Sequence, residues 1–229
     1  CFMTAPDVFQ FGIRVTSEVA TVQIGEAAMT YFKVTNIDAL YAALSQLDSS
    51  DDNLMDERIP YWADLWPSAI ALAEYVSELE NSEVSFIHEI GCGMALPSVL
   101  CGKLGHKVMM SDYVEAPLQF AEANWHLNNT SQPHTMMLDW RNIPDNIEKC
   151  DLLLAADVAY ESRMFPAVIN AFQRLTKNGG KIIFTEPNRK FTSEFYKLLQ
   201  NNFPEINTSE RLVFLNNHQH KIKLSVIDV

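Results

Sequence analysis

The residues best placed to do chemistry lie in Glu89-Ile90-Gly91-Cys92-Gly93-Met94-Ala95-Leu96-Pro97-Ser98, which succeeds the apolar run 84–87 and opens a helix-like stretch ending near Gly105. A strand that breaks into glycines and then a helix brings backbone N–H groups close to a ligand, because glycine has no Cβ to block the approach. Pro97 suits the first turn of that helix, where its missing N–H costs nothing. No Gly-Lys-Ser/Thr comes after it, which argues against a phosphate-cradling loop of the P-loop kind. A Gly-x-Gly also fits a plain strand-to-helix connection, so the other polar positions have to decide.

Four further acids stand at comparable places. Asp112 ends the short apolar stretch 107–113 and lies 23 positions after Glu89. An acid about 20 residues past a glycine turn, at the tip of the next strand, accepts hydrogen bonds from ribose hydroxyls. The same acid could equally be a helix cap. Asp139-Trp140 comes after a predicted strand at 134–138, Asp157-Val158-Ala159-Tyr160 closes the continuous apolar run from Asp151, and Glu186-Pro187-Asn188-Arg189 comes after 181–185. Ile59-Pro60-Tyr61-Trp62-Ala63-Asp64-Leu65-Trp66-Pro67-Ser68 packs aromatics beside prolines, either to wall a pocket or as a lid over the core. His218 and His220 have no carboxylate or cysteine at ligand spacing, so no metal is expected.

The elements that must position these residues are legible in the periodicity. Two short strands around Gly25-Glu26 precede a helix at 37–47, capped by Asn36, with Leu40 and Leu44 on its inner face. Residues 49–53 are the clearest loop, and the acidic stretch 51–57 links an N-terminal extension, 1–57, to a core, 58–229, or acts as a flap. In the core, helices are expected at 69–80 (with Ser68 as cap), 116–128, 165–175 and 191–199, and Asn178-Gly179-Gly180 reads as a turn. A hairpin with its turn at 216–219 closes the chain. Strands and helices alternating five times imply a doubly wound α/β sheet, in which ligands bind beyond the carboxyl ends of the strands. Glu89, Asp112, Asp139, Asp157 and Glu186 all fall at such ends.

Composition narrows the partners. With 48% apolar residues, 229 residues bury one full core. Seventeen Lys and Arg against 29 Asp and Glu leave a net charge of −12, which repels nucleic-acid phosphates and suits a basic or lysine-presenting protein, or a small molecule. Four cysteines without C-x-x-C pairing, no membrane-length apolar run and no basic-then-apolar leader are the expected features of a soluble cytoplasmic protein.

The order strand, Glu-x-Gly-x-Gly, strand, Asp, strand, Asp-Trp, strand, Asp-x-x-Tyr and terminal hairpin resembles the class I, seven-stranded S-adenosylmethionine-dependent methyltransferases. Within that class, Tyr61-Trp62-Ala63-Asp64-Leu65-Trp66-Pro67-Ser68 and Asp157-Val158-Ala159-Tyr160 resemble the family-16 group, which includes many protein-lysine methyltransferases, among them relatives of the electron-transfer flavoprotein beta-subunit enzyme. The resemblance covers about residues 59–229. It implies a Rossmann-like, mostly parallel seven-stranded sheet. Glu89, Gly91 and Gly93 would lie under the methionine part of S-adenosylmethionine, Asp112 would hold the ribose, and Tyr113, Asp139 and Trp140 would border the adenine. Trp66, with Ser68, would close the methionine side. Ala156 and Asp157 would mark where methyl donor meets acceptor, and Tyr160 would flank that acceptor. For a lysine acceptor, a carboxylate such as Asp157 or Glu186 would orient the amine while Tyr160 and Trp62 desolvate it. Ala95 replaces a third glycine, and Glu186-Pro187-Asn188-Arg189 departs from the Asp-Pro-Gly-Arg of relatives. A small-molecule N- or O-methyltransferase, a non-catalytic cofactor-binding module and, more distantly, a nicotinamide-dependent dehydrogenase are the competing readings.

Overall fold

The computed structural model describes residues 4–56, 58–79, 84–189 and 192–229. Five parallel strands form its centre: β5 (Phe86–Ile90), β6 (Lys107–Asp112), β7 (Thr135–Met137), β8 (Cys150–Ala156) and β9 (Thr176–Glu186). The hairpin of β10 (Glu205–Leu215) and β11 (His218–Asp228) completes a seven-stranded sheet of order β10-β11-β9-β8-β5-β6-β7, with β11 antiparallel to β9. The hairpin turns on two residues only, Asn216 and Asn217, both left-handed, which matches the twist of the flanking strands.

Alternation along each strand feeds two cores, as a period of two requires. Ile87, Leu152, Leu154 and Ile183 face α3 (Pro67–Ser77), α4 (Leu96–Lys103) and α5 (Glu115–Asn128). Phe86, Leu153, Ala155, Ile182 and Phe184 face α6 (Phe165–Leu175) and α7 (Thr192–Asn202). On α6 the expected Phe165, Val168, Ile169, Phe172 and Leu175 are all buried. Phe191, assigned to the last helix from sequence, lies outside the described residues, as does Glu80 at the end of the helix expected over 69–80.

The N-terminal part adds β1 (Phe9–Gln10), β2 (Ile13–Arg14), the hairpin β3 (Ser17–Ile24) and β4 (Ala27–Val34), then α1 (Ile37–Ser45) and α2 (Asp52–Met55). Its apolar residues Ile24, Met29, Phe32 and Val34 share the core of α3, α4 and α5. Asn124 and Asn128 of α5 accept from the Phe32 and Thr30 N–H groups of β4. Asn124 also donates to the Met94 carbonyl, so β4 is braced against the glycine turn.

Several local expectations are corrected. Residues 52 and 53, read as the end of the loop 49–53, instead open α2, because the Asp51 carboxylate accepts from Asn53 N and caps that turn. Asn36 precedes α1 but makes no cap bond; its side chain instead holds Thr16 N and Arg14 O. Ser68 is not the cap of α3 either: Trp66 is, with Pro67 as the first helical residue. Residues 178–180 do not part a helix from a strand. They lie within β9, whose pairing with β8 jumps from Cys150↔Thr176 to Leu152↔Lys181, so the glycines are absorbed in a bulge. Between β7 and β8, residues 138–149 hold no helix, and the strict alternation breaks there.

Candidate active site

Beyond the carboxyl ends of β5, β6 and β8 lies one cavity of about 590 Å³. This is where the strand order reverses direction, with β6 on one side of β5 and β8 on the other. Trp66, Glu89, Gly91, Gly93, Asp112, Tyr113, Asp139, Trp140, Ala156, Asp157 and Tyr160 all line it, drawn together from five separate segments. Ser68 does not. It is buried on α3, where its carbonyl accepts from Thr185 Oγ1, so it takes no direct part in the wall.

The floor is the turn after β5. Gly91, Gly93 and Ala95 all have left-handed backbones (φ 58°, 50° and 57°), and this repeated reversal turns the chain from β5 into α4. A Cβ on Gly91 would sit 3.1 Å from Val158 Cγ1 and 3.3 Å from Trp140 Cζ2, closer than side chains ordinarily pack. Asp112 clasps the turn, its Oδ2 accepting from Gly93 N at 3.0 Å and its Oδ1 from Val114 N at 3.2 Å. Each oxygen keeps a second lone pair for a ligand hydroxyl. Burial pushes the Asp112 carboxyl above the ordinary carboxylate range. Glu89, inside β5 rather than in the turn, accepts at Oε2 from Ser98 N in the first turn of α4, and burial pushes its carboxyl up to about 8. The Trp140 indole N–H is buried and has no partner among the described residues.

At the β6–β7 end, sequence reasoning missed a network. The Tyr113 hydroxyl donates to Asp56, and both Arg58 and Arg141 lie within about 5 Å of its ring centroid. Arg141 also bonds Asp56 Oδ1 at 3.1 Å and forks the Asp139 carboxylate at 2.9 Å through Nε and Nη2. Asp139 therefore borders the cavity through Arg141. The Tyr113 hydroxyl and then Arg141 hold the Asp56 carboxyl below its usual range. No motif in the acidic stretch 51–57 marks Asp56, since Tyr113 and Arg141, which tie it to the site, are distant in the chain.

At the β8 end the structure revises the acceptor side. Asp157 has a left-handed backbone (φ 56°), and its carboxylate is forked by the Arg189 guanidinium, with Nη2 2.9 Å from Oδ2. Glu186, buried behind the wall, accepts from Arg189 N and does not line the cavity. Trp62 lines the cavity, but its indole packs on Phe120 and donates to Gln10 Oε1 at 3.1 Å, away from the mouth. The aromatic mouth is made instead by Tyr61, set edge-on to Tyr160 at 5.5 Å and to Trp66 at 6.1 Å between ring centroids. Asp64 stands on the same wall and makes no ion pair among the described residues.

The residues present fit a nucleoside cofactor bearing an amino-acid tail. Close-approach glycines and an acid with free lone pairs at the tip of β6 are what such a ligand uses. This sheet order, with an antiparallel strand inserted before the edge, and this site define the class I S-adenosylmethionine-dependent methyltransferase fold. The solved structures agree. The N-methyltransferase NodS of Bradyrhizobium japonicum, in complex with S-adenosylhomocysteine, matches with a TM-score of 0.54 over 82% of this chain and 96% of its own at 16% identity. Magnesium protoporphyrin IX methyltransferase of Synechocystis with bound SAM matches with a TM-score of 0.55 over 85% and 92% at 15% identity. The lysine methyltransferase family model matches residues 58–202, and the chain belongs to that family.

Relatives share less of their length. The histone-arginine methyltransferase METTL23 of Mus musculus is 30% identical over 55% of this chain and 52% of its own. The protein-lysine methyltransferase METTL21E of the same species is 29% identical over 64% and 68%, and the electron transfer flavoprotein beta subunit lysine methyltransferase of Danio rerio is 27% identical over 57% and 51%. The chain thus spans about half the length of the mouse METTL23 it matches.

Proposed function

We propose that this chain transfers the methyl group of S-adenosylmethionine to a side-chain nitrogen of another protein, with lysine as acceptor. The observation that carries the reading is the single cavity joining the Gly91–Gly93 turn and Asp112 to the aromatic mouth of Tyr61, Tyr160 and Trp66. Membership of the lysine methyltransferase family supports the chemistry. Tyr61 and Tyr160 are exposed at the rim, which suits an acceptor presented on a large partner.

The bound cofactor supplies an activated methyl on a sulfonium that is its own leaving group. The chain has to hold, orient and exclude water. Gly91 and Gly93 allow close backbone approach, Asp112 accepts from ribose hydroxyls, and Trp140 contributes its ring to the wall. At the mouth, the rings of Tyr61, Tyr160 and Trp66 strip water from the acceptor amine and favour its neutral, nucleophilic form. With Asp157 committed to Arg189, Glu161 to Arg163 and Glu186 behind the wall, Asp64 would take a hydrogen bond from the amine and then its proton. Asp157 contributes by holding Arg189 at the rim, Tyr160 by its ring.

A second reading is an arginine acceptor. It is supported by the METTL23 relatives and by the Arg189 guanidinium lying in a carboxylate fork at this same end of the cavity. One experiment separates the two. The protein is incubated with methyl-labelled S-adenosylmethionine and a cell lysate, and labelled proteins are hydrolysed to amino acids. Methyl-lysine supports the main reading and methyl-arginine the second, whereas label in small molecules alone refutes both. The buried free thiols of Cys92, Cys101 and Cys150 favour a reducing, cytoplasmic location.

A further inference from the structure

Past Arg189 the wall passes into a second cavity of about 510 Å³ between α7 and β11. Arg189 lines both, so the two adjoin across its side chain at the acceptor end. The second cavity inverts the charge of the protein. The chain as a whole carries −12, yet the described wall holds Arg189, Lys197 and Lys223 and no carboxylate. Glu186 is buried behind it with Oε2 on Arg189 N, and Glu194 of α7 is not part of the wall.

In a chain with surplus carboxylates, cations are readily paired. Lys177, Lys181, Lys221 and Arg211 each hold one. Lys197 and Lys223 make no direct ion pair among the described residues, although Lys223 lies across from Glu186 in the β9–β11 register and acts on its buried carboxylate at longer range. Lys223 is nonetheless held in place. Its Nζ lies 3.4 Å from the centroid of the Tyr196 ring, and the Tyr196 hydroxyl is fixed to Ser225 Oγ at 2.8 Å. A cation seated on an aromatic face beside Thr192 and Gln200 is pre-organised for an anion.

We propose that this groove binds an acidic stretch flanking the methylated residue of the acceptor protein, and so selects acceptors with Asp or Glu a few residues away. The proposal rests on the methyl-transfer reading for its acceptor. A side chain entering the mouth beside Asp157 and Arg189 leaves its backbone at the rim, and a peptide continuing past Arg189 meets Lys197 and Lys223. Extended chain advances about 3.3 Å per residue, so carboxylates within a few positions reach the groove. A nucleic acid would meet the same cations, but a long phosphate backbone is repelled by the net charge around them.

The test uses three labelled peptides, Glu-Glu-Lys-Glu-Glu, Gly-Ser-Lys-Ser-Gly and Arg-Arg-Lys-Arg-Arg, with binding read by fluorescence anisotropy in saturating S-adenosylhomocysteine. The variants are Lys197→Glu/Lys223→Glu and, as a control with the same change of net charge, Lys33→Glu/Lys103→Glu at exposed sites elsewhere. The acidic peptide is expected to bind wild type most tightly, to weaken with added salt, and to lose about tenfold or more in the groove variant but little in the control. Equal binding of the three peptides, or equal losses in the two variants, overturns the proposal. So does a single-stranded oligonucleotide that displaces the acidic peptide at lower concentration. Methyl transfer to lysate proteins is measured in parallel: transfer without the acidic preference refutes the groove alone, and the preference without any transfer refutes the enzymatic reading while leaving the groove supported.

Discussion

Asp112→Ala tests the cofactor assignment most directly. The Asp112 carboxylate already accepts two backbone N–H groups, from Gly93 and Val114, and its remaining lone pairs face the cavity. A ribose presents two hydroxyls to it. Hydrogen bonds to a charged acceptor contribute about 1.5–3 kcal/mol each, and the two share one carboxylate, so a combined loss of about 3 kcal/mol is expected. That weakens Kd roughly a hundredfold. Removing the carboxylate also frees Gly93 N–H, but the cavity admits water to it, which limits the loss of stability to about 1 kcal/mol and the fall in Tm to about 2–4 °C. Calorimetric titration with S-adenosylhomocysteine measures the affinity, and a thermal melt verifies the fold. Adenosine, which keeps the ribose and lacks the amino-acid tail, should lose the same factor. Asp112→Asn keeps one acceptor oxygen and should fall between. A folded Asp112→Ala protein with unchanged affinity for both ligands would refute the assignment. Loss for S-adenosylhomocysteine but not for adenosine would move the role of Asp112 away from the ribose.

Gly91→Ala adds a methyl 3.1 Å from Val158 and forces a left-handed backbone on a residue with a Cβ, which costs about 1–2 kcal/mol; calorimetry should show cofactor affinity falling at least tenfold in a protein that still folds. Gly102→Ala drives its Cβ into the Trp125 ring where α4 crosses α5, so a Tm well below wild type is expected from overpacking of about 1–3 kcal/mol, with ligand affinity per folded molecule unchanged. Glu89 has a folded pKa raised to about 8, so between the ordinary carboxylate range and pH 8 the folded chain binds more protons than the unfolded one. Stability of the ligand-free protein should therefore be greatest below that window and decline as pH rises through it, by up to about 1.4 kcal/mol per pH unit, and Glu89→Gln should flatten this part of the Tm profile. Tyr61→Ala should lower methyl transfer to a protein acceptor while leaving S-adenosylhomocysteine affinity within about threefold, because the ring stands at the mouth rather than over the Gly91 floor.

Glu89, Gly91, Gly93 and Asp112 were legible in the sequence because their signal is local. A buried parallel strand must be a continuous apolar run, its connection must turn at its end, and the residues just after the run are thereby placed at the carboxyl edge. The same logic placed Asp157 and Tyr160 at the tip of β8. The two-sided burial of Leu152, Leu153 and Leu154 made the central position of β8 readable as well. Ser68 was misjudged because position on a helix was readable but direction was not: two residues beyond the cap, its side chain is buried in the protein.

Only the tertiary structure decided which charged and aromatic groups meet. Asp157 and Arg189 are 32 residues apart, and Asp56 and Arg141 are 85 apart. Neither spacing has a period that a strand or helix would impose. The choice between Trp62 and Tyr61 for the mouth turned on one short helical turn at Pro60–Ala63, which sends the indole to Phe120 and the phenol to Tyr160. Local pattern sets where a residue lies along an edge, because backbone geometry repeats. Side-chain partners across that edge are set by packing between segments distant in the chain, and that information exists only once the sheet has assembled.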